Sequence, residues 1–342
     1  ARRYRFIWVA NLDLQFAIKC YHRIMIIKIL LVLVGFALII FGADVLVTGA
    51  SNIAKKYRIP DVVIGLTIVS LGTSFPEMMI TITSAKNEYH DLIFGNALGS
   101  NIVNLGLILG IIALIKPVYL DRETKNIHLP LAIMATAVLA FMGNGLIGEH
   151  LMISRLQGWL LIAMSVVYFT VPAYKSLQRI QLTKHNTRPD TADISMPKSL
   201  LFIALGFIAL KFGADFAVDN AKFIGEAVGI PDSVIGLTIV GMGTALPELI
   251  TSITATLKGT EGLAIGNLIG SCILNLFLII GLGAVINPLT YLPIFNMELM
   301  FLFGLTFLIW VFSYIGKRNT LSRLEGSILI LAFVGYMVVL LG

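Results

Sequence analysis

Two glutamates, Glu77 and Glu248, lie inside long apolar runs, where a carboxylate costs several kcal/mol unless something pairs with it. Each follows a proline, Pro76 or Pro247, which removes an N–H from the helix and crowds the carbonyl four residues back. The backbone must break there, and the freed carbonyls, at about Ser70 and Gly241, become oxygen donors. Further oxygens stand close by in sequence: Thr73, Ser74, Ser100 and Asn104 around the first glutamate, and Thr244, Ser271 and Asn275 around the second. Ser100 and Asn104 are four residues apart and share one helical face, as do Ser271 and Asn275. Carboxylate, hydroxyl, amide and carbonyl form an all-oxygen set that suits hard cations such as calcium and sodium. Neither core contains a histidine, which argues against zinc, copper and iron. Two carboxylates balance one divalent ion or are shared by several monovalent ones, and that charge arithmetic suits exchange.

The elements that carry these residues are duplicated. Sliding the chain by 171 positions aligns Gly35–Gly110 with Gly206–Gly281 without a gap, and 36 of the 76 pairs are identical. Glycines at 95, 99, 266 and 270 recur every four residues, a spacing that lets helices approach closely. With 57% hydrophobic and 13% charged residues and a mean hydropathy of +0.91, the chain reads as a polytopic all-α membrane protein embedded in the lipid bilayer. Apolar runs predict ten transmembrane helices, at about 26–48, 61–86, 92–115, 129–144, 151–174, 199–222, 232–257, 262–286, 297–315 and 325–342. Residues 25–174 and 199–342 then form two five-helix repeats joined by a polar connecting loop, 175–198. An odd number of spans per half inverts the second repeat relative to the first.

Loop charge sets an orientation. The loops after spans one, three, five, seven and nine hold fifteen lysines and arginines, from Lys55 to Arg323, while the opposite loops hold only Lys86, Arg155 and Lys222. This places the basic loops in the cytoplasm of a cell-membrane protein and both termini outside. Residues 1–24 carry Arg2, Arg3, Arg5 and Lys19 together with Asp13, and read as an extension outside the fold, with Met25 opening the first convincing apolar run.

Other features have plainer readings. Asp44 and Asp215 match between the copies but lie near span ends, and Asp215 is four residues from Lys211, an unusual cation inside span six, so a structural pair is expected. Asp61 and Asp232 follow prolines and read as helix-start residues. The five histidines lie outside the repeat cores and read as solvated. The excess of basic residues belongs to cytoplasmic loops and gives no support to nucleic-acid binding. No Gly-rich Lys-Ser/Thr phosphate loop supports ATP-driven transport, and paired glutamates and serines without His or Lys in the cores make a poor hydrolase.

Gly-Thr-Ser-Phe-Pro-Glu with Gly-Asn-Ala-Leu-Gly-Ser-Asn-Ile-Val-Asn, repeated as Gly-Thr-Ala-Leu-Pro-Glu with Gly-Asn-Leu-Ile-Gly-Ser-Cys-Ile-Leu-Asn, resembles the paired alpha-repeats of the sodium/calcium exchanger family, prokaryotic type, within the cation/calcium exchanger superfamily. The resemblance covers residues 26–342 and implies a non-enzymatic secondary antiporter without a cofactor, a monomer whose transported ions are Ca2+ and Na+. It implies that Glu77 and Glu248 are central calcium ligands shared with sodium, and that Thr73 and Thr244 give backbone oxygens to calcium. Ser70 and Gly241 would give backbone oxygens to flanking sodium sites, Ser74, Ser100 and Ser271 hydroxyls, and Asn104 and Asn275 oxygens at the centre. Ala245 departs from the pattern where Ser is usual, and Asn275 where some members carry Asp. Proton/calcium relatives carry a Glu shortly after the Gly-Asn pair, where this chain has Gly-Ser in both copies. That favours sodium coupling, with proton/calcium or another cation/calcium exchange on the same fold as the alternative.

Overall fold

The computed structural model describes residues 2–146, 151–183, 195–229, 243–315 and 319–341. Their order is α1 (Arg2–Tyr57), α2 (Asp61–Thr73), α3 (Phe75–Lys86), α4 (His90–Ile115), β1 (Val118–Tyr119), α5 (Thr124–Gly143), β2 (Met152–Ile153), α6 (Arg155–Thr183), α7 (Met196–Ala227), α8 (Leu246–Leu257), α9 (Glu261–Ile286), β3 (Leu289–Thr290), α10 (Phe295–Phe312), β4 (Thr320–Leu321) and α11 (Arg323–Leu341). Among the described residues seven helices are long and apolar enough to cross a bilayer, or eight if the bent pair α2–α3 is one crossing. The chain is an integral membrane protein, and the apolar residues exposed along α1 and α7, such as Ile26, Leu30, Leu33, Leu201, Ile208 and Phe212, face a solvent that is itself apolar.

The centre belongs to α4 and α9, whose apolar windows are 72% and 78% buried, against 11% for α1 and 33% for α7. Helices α2, α3 and α8 pack on this centre, α1 lies along α7, α6 rests on the end of α9, and α11 on the end of α4. Glycines set how closely these helices meet. A Cβ on Gly35 would come within 2.7 Å of the Gly213 carbonyl, and one on Gly42 within 2.9 Å of the Gly206 carbonyl. The 171-residue shift turns the first of these contacts into the second. It also carries Gly110, where a Cβ would sit 2.9 Å from the Gly326 carbonyl of α11, onto Gly281, where one would sit 2.9 Å from the Gly158 carbonyl of α6, a partner three residues out of that register. At the middle, Asn101 Nδ2 donates to the Cys272 carbonyl at 3.0 Å while the Cys272 thiol faces the Asn101 carbonyl at 4.0 Å, a contact between residues that are themselves 171 apart. The two short ribbons, β1 with β4 and β2 with β3, sit at the helix ends.

Several expectations change. Helix α1 is continuous from Arg2, so residues 2–24 are helical and run directly into the first span. At about 1.5 Å per residue its 56 residues run about 84 Å, far beyond a hydrocarbon core of about 30 Å. The break expected in span two is present, between α2 and α3, with a bend of 46°. His128, read as solvated, is 2% exposed, because a π-helical turn over Thr124–His128 opens α5 and sets the ring against Tyr168, whose hydroxyl lies 3.0 Å from Nδ1. The close packing expected of all four glycines holds at Gly266 and Gly270, whereas nothing among the described residues meets Gly95 or Gly99. Asp61 opens α2 as expected, and Lys211 pairs with Asp215 at 2.6 Å. The first part of span seven, with Asp232 and Gly241, lies outside the described residues.

Candidate functional site

The break that proline demands appears in both copies with the same backbone. Ser74 (φ −81°, ψ 7°) leaves the helix before α3, and Ala245 (φ −86°, ψ 1°) does so before α8. Proline is tolerated in a helix's first turn, where its missing N–H has no intrahelical partner to lose. Each glutamate therefore falls in the first turn of a half-helix, where unpaired N–H groups and the helix dipole favour negative charge. Glu77 and Glu248 are each 1% exposed, and the two are close enough to repel one another electrostatically.

The halves interlock around these acids. Ser74, from the first copy, faces Glu248 Oε1 at 3.4 Å and donates to Ser271 Oγ at 3.0 Å, while Ser271 faces the same Oε1 at 3.5 Å. Thr73 Oγ1 donates to Asn267 Oδ1 at 3.0 Å. Asn275 Nδ2 donates to Asn101 Oδ1 at 3.0 Å, and Asn104 lies against the Cys272 thiol. Ser100 lies beside the Glu77 carboxylate without closing a hydrogen bond. Thr244 is half-buried in the break before α8. Helices α4 and α9 each carry a π-helical turn here, Val103–Ile108 and Asn275–Ile279, so Asn104 and Asn275 sit where the helical register shifts, a feature common at functional sites.

Buried oxygens without a hydrogen-bond partner among the described residues include Glu77 Oε2, Glu248 Oε2, Ser100 Oγ, Asn104 Oδ1 and Asn275 Oδ1. An orphaned buried acceptor costs about 1–3 kcal/mol, so this cluster is stable only if something electropositive and compact meets it. Among the described residues no cationic side chain acts on either glutamate, and Lys211 is paired with Asp215. One expectation is altered, since the Ser70 carbonyl accepts the Ser74 N–H at 3.0 Å and the Ser70 hydroxyl donates to the Leu66 carbonyl at 2.5 Å. The carbonyl opposite Pro76 is that of Gly72, four residues back, and Phe207 of α7 lies directly over this glycine, leaving no room for a Cβ. Gly241, the counterpart of Ser70, is outside the described residues.

The sodium/calcium exchanger protein family matches this sequence over residues 27–173 and 198–342. The chain belongs to the sodium/calcium exchanger family. Among its relatives are the sodium/calcium exchanger MaX1 of Methanosarcina acetivorans, 30% identical over 92% of this chain and 98% of that one, and the inner membrane protein YrbG of Escherichia coli, 35% identical over 77% and 81%. Solved structures of the sodium-calcium exchanger NCX_Mj, including one soaked without Na+ and Ca2+, share its fold with a TM-score of 0.78 at 27% identity, covering 92% of this chain and 99% of that one.

In this exchanger-family chain the sequence reading missed Asn101, Asn267 and Ser252, all buried, with Asn101 bonded to Asn275 and Asn267 bridging Thr73 to Ser252. Asn267 and its counterpart Asn96 are the asparagines of the repeated Gly-Asn pair, a signal available from the duplication. Asn101 aligns with Cys272, so the repeat gave it no mark.

Proposed function

We propose that this chain is a secondary antiporter that exports calcium across the cell membrane using the inward sodium gradient. The observation that carries the reading is the pair of repeat-related, fully buried carboxylates ringed by unpartnered neutral oxygens. Glu77 and Glu248 bind Ca2+ or Na+; Ser74, Ser100, Ser271, Asn104 and Asn275 complete the oxygen set, and backbone oxygens of Thr73, Thr244, Ser70 and Gly241 add to it. Because the ions share carboxylates, one kind is carried on each leg, and that competition is the coupling.

The architecture behind this reading is ten spans in two inverted halves, 25–174 and 199–342, linked by 175–198, with both termini outside and the basic loops cytoplasmic. The reciprocal glycine contacts between α1 and α7 and the Asn101–Cys272 contact support it, since only a two-fold relation converts each contact into its partner. Alternating access then consists of α1 and α7 moving across a core of α2–α4, α8 and α9.

The experiment is calcium flux into proteoliposomes with sodium, potassium and pH gradients imposed separately. A sodium gradient alone should drive it. Flux driven by a pH step alone, with sodium inert, would replace this reading with proton/calcium exchange. Glu77→Gln or Glu248→Gln should abolish the driven flux while the protein still inserts and reconstitutes.

A further inference from the structure

Where α4 crosses α9, the two helices meet through positions that the repeat relates but does not match: residue 101 is Asn and residue 272 is Cys. Asn101 is fully buried and Cys272 is 1% exposed. Asn101 Nδ2 donates to the Cys272 carbonyl at 3.0 Å, and Asn101 Oδ1 accepts from Asn275 Nδ2 at 3.0 Å. Together these bonds fix the sense of both amides. A backbone carbonyl only accepts, so the nitrogen of Asn101 faces Cys272 and its oxygen faces Asn275. Asn275 must answer with its own nitrogen, which leaves its Oδ1 on the side away from Asn101. Ser271, four residues earlier on the same helical face, meets Glu248 Oε1 at 3.5 Å. The direction of the Asn275 oxygen is thus set from a main-chain carbonyl through one intervening amide.

The 171-residue shift maps this chain of bonds onto the Asn101 carbonyl, residue 272 and Asn104. There the middle link is a thiol. Its sulfur lies 4.0 Å from the Asn101 carbonyl and against the Asn104 side chain. A thiol is a weak donor and a weak acceptor on one atom, so it does not distinguish the nitrogen end of a neighbouring amide from the oxygen end. Asn104, 1% exposed, is packed against Cys272 with neither end selected by that contact.

We infer that Asn101 is a positioning residue for ion binding, holding Asn275 with its oxygen toward the ion, and that Cys272 denies Asn104 the same support, so the two halves of the site bind unequally. Asn275 is a preset ligand. Asn104 takes its orientation when an ion arrives, and the cost of ordering it falls on binding. The inference rests on the antiporter reading's assignment of Asn104 and Asn275 to the ion.

Exchanging the two residues tests it. Calcium affinity is read from the melting temperature of the purified full chain against calcium concentration in sodium-free buffer. Asn101→Cys should weaken calcium binding about 5-fold, the factor one buried hydrogen bond is worth. Cys272→Asn should strengthen it by about the same factor, because Asn104 then gains the amide partner it lacks. The double exchange rebuilds the arrangement with the halves interchanged and should return the affinity to near the parent value. A role in packing alone would weaken binding in both single exchanges and combine the losses in the double. In an Asn275→Ala background Asn101→Cys should have no further effect, since it acts through Asn275. Weaker binding in Cys272→Asn, no recovery in the double exchange, an unchanged affinity in Asn101→Cys, or an equal effect of Asn101→Cys with and without Asn275 overturns the inference. If Cys272→Asn does not assemble, the two Asn101→Cys measurements decide alone. The parent chain tests the reading beneath: a parent that calcium does not stabilise fells the ion-site assignment itself, whereas calcium binding that the exchanges leave unaltered fells only the positioning role.

Discussion

At the scale of single residues, the imbalance between the two acids traces to one missing hydroxyl. Glu248 is faced by Ser74 and Ser271, and the repeat relation places Ala245 and Ser100 in the same positions about Glu77. Ala245 is 1% exposed and offers no oxygen, and Ser100 Oγ and Glu77 Oε2 have no hydrogen-bond partner among the described residues. Ala245→Ser should therefore add an oxygen where an ion beside Glu77 needs one. The expected result is a several-fold lower half-saturating sodium concentration for calcium flux, read from sodium titrations of reconstituted protein; an unchanged titration would mean that no sodium ion sits between Ala245 and Glu77. Asn275→Asp should behave differently. The added charge favours a divalent ion, but the substitution removes the donor to Asn101 Oδ1 and sets two acceptors face to face, at a cost of about 1–3 kcal/mol. In metal-free buffer the variant should melt lower than the parent, and calcium should restore more of its stability than sodium does. A uniform loss that neither ion repairs would sink the assignment of Asn275 to the ion's surroundings.

At the scale of elements, the sequence displayed the breaks and concealed the π-helical turns. A proline two residues past a Thr-Ser or Thr-Ala pair interrupts a helix by removing a specific hydrogen bond, and the break before α3 falls where Pro76 requires it. The turns at Val103–Ile108 and Asn275–Ile279 carry no such mark, because no proline interrupts them and the shift in register comes from tertiary packing around Asn104 and Asn275. The burial of His128 was hidden for the same reason, and the Asn267 bridge is legible only in three dimensions. The functional weight of the α2–α3 break can be measured. Pro76→Ala returns an N–H to the Gly72 carbonyl and favours a straight helix, which would swing Glu77 away from Glu248. Calcium flux should fall at least tenfold while the melting temperature of the purified protein stays level or rises. A fall in flux together with a fall in stability would point instead to Pro76 as a structural residue only.

At the scale of the whole molecule, the shared acids make a thermodynamic prediction that needs no transport assay. An ion that binds the folded chain and not the unfolded one stabilises it by RT ln(1 + [L]/Kd), about 2.7 kcal/mol at a hundred times Kd. Were calcium and sodium held at independent sites, their contributions would add, and saturating both would raise the melting temperature by nearly the sum of the separate shifts. Ions that compete for Glu77 and Glu248 cannot do so. Calcium added to sodium-saturated protein should first displace sodium and so deliver only the difference between the two binding free energies, with the apparent calcium affinity falling as sodium rises. Glu77→Gln should erase most of the calcium shift, since the remaining carboxylate, Glu248, balances half the ion's charge. Additive shifts in the parent protein would mean separate sites for the two ions, and coupling by competition would fail even if both ions were transported.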